Sequence, residues 1–203
     1  KMFEIYETLL DVKFVNVTNA LTWYPGVQLF EVRDNKTKDL IAYFYTDLYP
    51  RDGKYGHAAA FGIRSGREVN GHYQPPISAI VANLSPGVEG KPSLLSHEDV
   101  ETLFHEFGHI MHGTLTRVKY ASLSGSSVAW DFVEAPSQML ENWVWSPEIL
   151  RMITQKYDKP AEKMPEDMIA KLVESRKFNL GWMNTRQLIF GIFDLTLHRS
   201  QKD

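Results

Sequence analysis

Hydrophobic and polar residues along the chain follow two different periods, and the change from one to the other divides it. Val27 to Arg33 and Leu40 to Thr46 alternate as strands do, and the polar run Asp34 to Asp39 between them reads as a turn. His57 to Ile63 and Ile77 to Leu84 are further strand candidates, separated by a loop containing Gly and Pro. Ahead of these, Phe3 to Phe14 reads as a short helix.

From Ser96 the period lengthens to that of a helix. Val100, Leu103, Phe104, Phe107, Ile110 and Met111 recur at helical spacing, and Gly113 is a natural stop. Ser96 with Asp99 resembles a capping box, and Glu98, Asp99 and Glu101 place negative charge where the helix dipole favours it. The pattern predicts a core-packed helix of roughly four to five turns. Val133, Met139, Leu140 and Trp143 give the apolar face of a second helix across Asp131 to Trp143, although Pro136 falls past the free first turn if that helix begins at Asp131. Pro165, Glu166 and Asp167 open another. Strands followed by helices, with no internal repeat, predict an α+β unit, predominantly helical, with a small sheet beside the helices.

Composition narrows the classes. The 203 residues are 43% hydrophobic and 12% aromatic, enough to bury a core, and fit a single domain or part of one. A net charge of −3 gives no reason to expect nucleic acid or an anionic membrane as partner. No apolar run is long enough to span a bilayer, and the N-terminus does not resemble a signal peptide. The absence of cysteine excludes disulfides and thiolate ligands and suits an intracellular protein. Asn16, Asn35 and Asn83 begin N-x-S/T triplets, which are common by chance.

The chemistry is concentrated in His105-Glu106-Phe107-Gly108-His109, an H-E-x-x-H pentad within the long helix. Histidines four apart on a helix stand one above the other on one face, so both imidazoles can reach a single zinc ion, with Glu106 beside them to handle protons. Such a pentad is the core of a zinc hydrolase. A catalytic zinc usually takes three protein ligands and leaves one position open. His112 shares the helix face, but it lies about 10 Å along the axis from His105, whereas ligand atoms on one zinc lie within about 4 Å of each other. His112 therefore reads as a residue behind the ligands or as a wall of the cleft. The metzincin pattern also fails, since Leu115 stands where a third histidine would be. The third ligand must come from another segment, and spacing offers Glu134 and, two turns along the same face, Glu141.

These motifs are similar to those of the M3 family of zinc peptidases. The resemblance rests on His105 to His112 and on Phe132-Val133-Glu134-Ala135-Pro136-Ser137-Gln138. It extends upstream through Phe44 to Arg51 and Lys54 to Ala58, and downstream through Leu140 to Trp143 and Glu174-Ser175-Arg176. It implies zincin-like metal helices, one zinc ion held by His105, His109 and Glu134, and Glu106 as the catalytic carboxylate. It further implies an endo-oligopeptidase acting on short peptides in the cytoplasm, with a mitochondrial location as the alternative. One position departs from the family pattern: Trp130 stands where many relatives have an arginine able to pair with Glu101, so the support of the metal helix is expected to differ. Family members are also much longer, and a downstream tyrosine-rich segment supplies hydroxyl groups to the oxyanion. Residues 1–203 are thus expected to be part of a single catalytic domain whose partner is the remainder of the same polypeptide. The rival reading is a catalytically incomplete piece that only binds zinc or peptide.

Substrate contacts are less sharply written. Ala58, Ala59, Ala60 and Phe61 read either as an edge strand that aligns a peptide backbone or as an ordinary small-residue core strand. Tyr120, Ser124, Gly125 and Ser126 suggest a cleft loop, and His112 a cleft wall.

Overall fold

The computed structural model describes residues 1–200. The chain begins with α1 (Met2–Leu10), passes into β1 (Val12–Asn16), and continues through β2 (Gln28–Asp34) and β3 (Leu40–Asp47). Next come β4 (Ala59–Arg64), the short pair β5 (Arg67–Val69) and β6 (His72–Gln74), and β7 (Ile77–Val81). The remainder is helical: α2 (His97–Thr114), α3 (Ala135–Glu141), α4 (Pro147–Ile153), α5 (Glu166–Ser175) and α6 (Leu180–Arg199), with 3-10 turns at Ala121–Leu123 and Asn142–Trp145. Strands precede helices, as the change of period predicts, and the architecture is α+β.

Five strands form one sheet in the order β1-β2-β3-β7-β4. β3 and β7 run parallel and the other neighbours antiparallel, so β4 lies at an edge. β2 buries Phe30 and Val32 and β3 buries Ala42 and Phe44, the period-two pattern of a sheet with one face against a core. That face meets α2, whose Phe104, Phe107 and Ile110 are fully buried, and α1, whose Tyr6 hydroxyl donates to the Phe104 carbonyl at 2.8 Å. Phe3, Phe14, Phe44 and Phe107 make edge or tilted contacts at 5.0 to 5.8 Å between centroids. The helix that carries the pentad is thereby fixed to the sheet.

Three expectations change. The helix predicted over Phe3 to Phe14 ends at Leu10, because Asp11 turns left-handed (φ 52°) and hands the chain to β1, where Phe14 pairs with Val32. The helix expected from Asp131 begins at Ala135, which puts Pro136 in its free first turn and removes the conflict. Gly113 lies inside α2 rather than after it. A side chain there would press on the Ser78 hydroxyl, and one at Gly125 would meet the Gly113 backbone at 2.8 Å. Two elements are not among those predicted: the β5–β6 hairpin, which turns at Asn70-Gly71 with positive φ at both (51° and 77°), and α4, which opens at Ser146-Pro147. Downstream, Leu188, Ile189, Ile192, Phe193, Leu195 and Leu197 on α6 are all more than half exposed. Among the described residues no helix is long and apolar enough to cross a membrane.

A buried ionic knot ties the end of β3 to the loop before β4. Lys54 donates to Asp47 Oδ1 at 2.9 Å and to the carbonyls of Asp47, Tyr49 and Ala82, with side-chain exposures of 3% for Lys54 and 5% for Asp47. Arg51 and the Trp23 indole complete the shell. Burial would raise the Asp47 pKa, but donation from Arg51, Trp23 and Lys54 outweighs it and holds the carboxyl at about 2. Lys54→Met should cost about 1–3 kcal/mol by chemical denaturation, since it leaves the carbonyls of Asp47, Tyr49 and Ala82 without their donor while Arg51 still pairs with Asp47; a loss below about 0.5 kcal/mol would contradict this. The folded pKa is depressed, so the contribution is full above the ordinary carboxylate range and is lost as pH falls toward 2. Acid titration of the parent should show that loss, and Asp47→Asn should flatten it.

Candidate metal centre

α2 presents the pentad because its register is set at both ends. Its N-terminus has a complete capping box between Ser96 and Asp99, and Phe104, Phe107 and Ile110 bury the opposite stripe. His105 and His109 therefore emerge together, their rings 4.9 Å apart. α3 crosses this face with its contacts in reverse order: Glu134 meets His105 and His109, Ser137 meets Gly108, and Glu141 meets His105. A Cβ at Gly108 would stand 2.8 Å from the Ser137 Cα, so only glycine at that position of the pentad lets the two backbones approach this closely.

Glu134 directly precedes α3. Its Oε2 lies 3.2 Å from His105 Nε2 and 3.0 Å from His109 Nε2, and one ligand atom from each of the three residues lies within 4.8 Å of the others. Two imidazole nitrogens and one carboxylate oxygen converging in this way are the donor set that a zinc ion takes in a catalytic site. Partners behind the donors fix their aim. Glu141 Oε1 lies 2.5 Å from His105 Nδ1, which places the proton of that ring on Nδ1 and leaves Nε2 facing Glu134. The buried Ser137 hydroxyl donates to Glu134, 2.7 Å from Oε2 and 2.9 Å from the carbonyl oxygen. Burial would raise the Glu134 pKa, but Ser137 and the two imidazoles outweigh it and keep the group low.

Glu106 stands beside this group without belonging to it. Burial raises its carboxyl above the ordinary range, opposed in part by the two imidazoles and by a hydrogen bond from the backbone of Ala60. That bond brings β4 to the site. Ala60, Phe61 and Gly62 line one wall of a cleft of about 380 Å³, His109 and Gly113 its floor, and Ser124 to Ser127 the facing loop. The loop is anchored by the Gly66 N–H, which donates to Ser124 Oγ at 3.1 Å.

The other candidates lie elsewhere. Ala59 opens β4 opposite Val81, and Ala58 faces a separate recess with Asn83 and Asp99. Tyr120 is 62% exposed and does not line the cleft. His112 does not belong to the donor group and lines a largely apolar cavity of about 940 Å³ with Met111, Met139 and Trp143. Burial pushes its pKa down, and its Nδ1 has no hydrogen-bond partner among the described residues. His112 thus walls this cavity and does not line the cleft that His109 floors. Trp130, in the position noted for an arginine, is 93% exposed, and Glu101 instead accepts from the Trp145 indole at 2.6 Å. Gly108, Ser137 and Trp145 support the site without standing among the residues that the motifs single out. Only Gly108 carried a local signal, a glycine inside an otherwise strong helix.

A family model described as Peptidase family M3 matches residues 1–203. Saccharolysin of Saccharomyces cerevisiae is 41% identical to the chain over 97% of its length, and thimet-like oligopeptidase of Dictyostelium discoideum is 37% identical over the same share. Oligopeptidase A of Salmonella typhimurium is 38% identical, again over 97%. The chain spans 29%, 30% and 29% of these relatives respectively.

Proposed function

The chain belongs to peptidase family M3, and from that premise we propose that it carries the metal site of a zinc-dependent endo-oligopeptidase acting on short peptides. The observation that carries the reading is the convergence of His105 Nε2, His109 Nε2 and Glu134 Oε2 with Glu106 alongside. On this reading the fold is zincin-like, and residues 1–203 are part of one catalytic domain completed by further polypeptide. A single zinc held by those three side chains would polarise the scissile carbonyl and lower the pKa of water.

The chain's own groups do the rest. Glu106 takes a proton from the attacking water and returns it to the leaving amine, acting first as base and then as acid. Glu141 and Ser137 hold His105 and Glu134 in their ligating orientations. The edge of β4 that has no strand neighbour among the described residues aligns the peptide backbone, while Gly125 and Ser126 bound the cleft opposite. Such alignment reads backbone rather than side chains and suits a peptidase of short, varied substrates.

In the full-length protein, cleavage of a short fluorogenic peptide should disappear on chelation and return with one equivalent of zinc. Cleavage that survives complete chelation would overturn the proposal.

A further inference from the structure

Glu174-Ser175-Arg176, the last motif in the chain, has no part in the chemistry above, yet Arg176 reaches back to the metal helices. Its Nη2 donates to Asn142 Oδ1 at 2.8 Å, and its guanidinium lies 5.3 Å from the centre of the Trp145 ring. Trp145 also packs against the His97 ring at 4.2 Å, and its Nε1 donates to Glu101 Oε1 at 2.6 Å. The indole therefore joins the N-terminal part of α2 to the segment after α3, with the end of α5 stacked upon it.

The placement along the two helices gives this joint a purpose. α2 and α3 touch in reverse order at Glu101 with Trp145, His105 with Glu141, and Gly108 with Ser137. The His105–Glu141 pair sits between two pins, the close glycine approach on one side and the Trp145–Glu101 bond on the other. Glu141 directly precedes the 3-10 turn Asn142–Trp145, which Trp145 ties to α2, and a shift of α3 along α2 at that end would move its carboxylate relative to His105 Nδ1. The backbone contact at Gly108 cannot prevent such a pivot, because it holds a single point.

We infer that Trp145, held by Glu101 and Arg176, is a positioning residue that sets the approach of Glu141 to His105 and so the strength with which His105 faces a metal ion. The inference rests on the reading of His105 as a zinc ligand. Loss of an outer partner of a ligating histidine typically weakens metal affinity about 10- to 100-fold. A partner one step further out acts at the lower end, about 10-fold.

The test measures zinc affinity of the full-length protein by chelator competition, beside thermal unfolding of the metal-free form. Trp145→Phe keeps an aromatic ring between His97 and Arg176 but removes the N–H donor together with part of the ring area, and Glu101→Leu removes the same bond with the indole intact. The tryptophan variant should weaken zinc about 10-fold and shift the visible absorption of the cobalt-substituted protein. Glu101→Gln, which retains an oxygen acceptor for Trp145, should keep both near the parent's, whereas Glu101→Leu should match Trp145→Phe. Parental zinc affinity and an unshifted cobalt spectrum in Trp145→Phe would overturn the inference while leaving the zinc site standing. The same holds if Glu101→Gln loses affinity as Glu101→Leu does. Failure of the parent to bind zinc would overturn the metal reading, and this inference with it.

Discussion

Replacing Glu106 with glutamine in the full-length protein should leave zinc and peptide binding close to normal while lowering turnover of a short peptide by about 10²- to 10⁴-fold, the usual worth of a positioned acid–base group. The reason is the position of Glu106. It lies between two candidate ligands on α2 yet stays outside the donor group, so its carboxylate remains free for protons. Its half-buried setting raises its affinity for a proton, as a base needs. The Ala60 N–H ties it to the strand against which the peptide would lie. Glutamine retains an oxygen acceptor for Ala60 but cannot carry the proton. Comparing kcat with zinc content decides the matter: a zinc-loaded variant that turns over within about threefold of the parent would remove Glu106 from the chemistry.

Glu134→Ala and Glu141→Ala should part company in zinc affinity, although both remove a carboxylate that touches His105. Glu134 faces the Nε2 atoms of both histidines, so its loss removes a ligand. Sharing about 10 to 16 kcal/mol of zinc binding over four coordination positions assigns one ligand about 3 to 4 kcal/mol, or roughly 10²- to 10³-fold in Kd. Glu141 faces Nδ1 only, so its removal leaves three ligands with one less well oriented, a loss of about 10- to 100-fold. Competition against a chelator of known affinity reads both. Equal losses, or a larger loss in Glu141→Ala, would reverse the roles given to the two glutamates. In either variant and in the parent, binding should weaken as pH falls, because both imidazoles must be neutral to ligate.

The difficulty of choosing between Glu134 and Glu141 from spacing shows where local information ends. Both lie on the apolar side of the same segment, and α3 could meet α2 with either one over the histidines. The choice depends on the close approach of Gly108 to Ser137 and on the bond from Trp145 to Glu101, neither of which joins residues near in sequence. Pro136 is a similar case. It conflicts with a helix beginning at Asp131 and agrees with one beginning at Ala135, and the later start leaves Glu134 just outside the helix.

What the sequence by itself determines is the helix of the pentad, since a capping box, an apolar stripe and the offset of His105 from His109 are all relations within one α-helical span. It also determines the two central strands with the turn between them, and hence the α+β class. Tertiary structure decides the rest: that Phe14 leaves a helix to pair with Val32, that β4 lies at the edge beside Glu106, that His112 lines a cavity apart from the donor group, and which carboxylate reaches that group. The physical reason is the same in each case. Periodicity reports which face of an element is apolar, whereas a metal centre depends on the distance between elements, and that distance is set by where glycine, serine and indole side chains allow two backbones to meet.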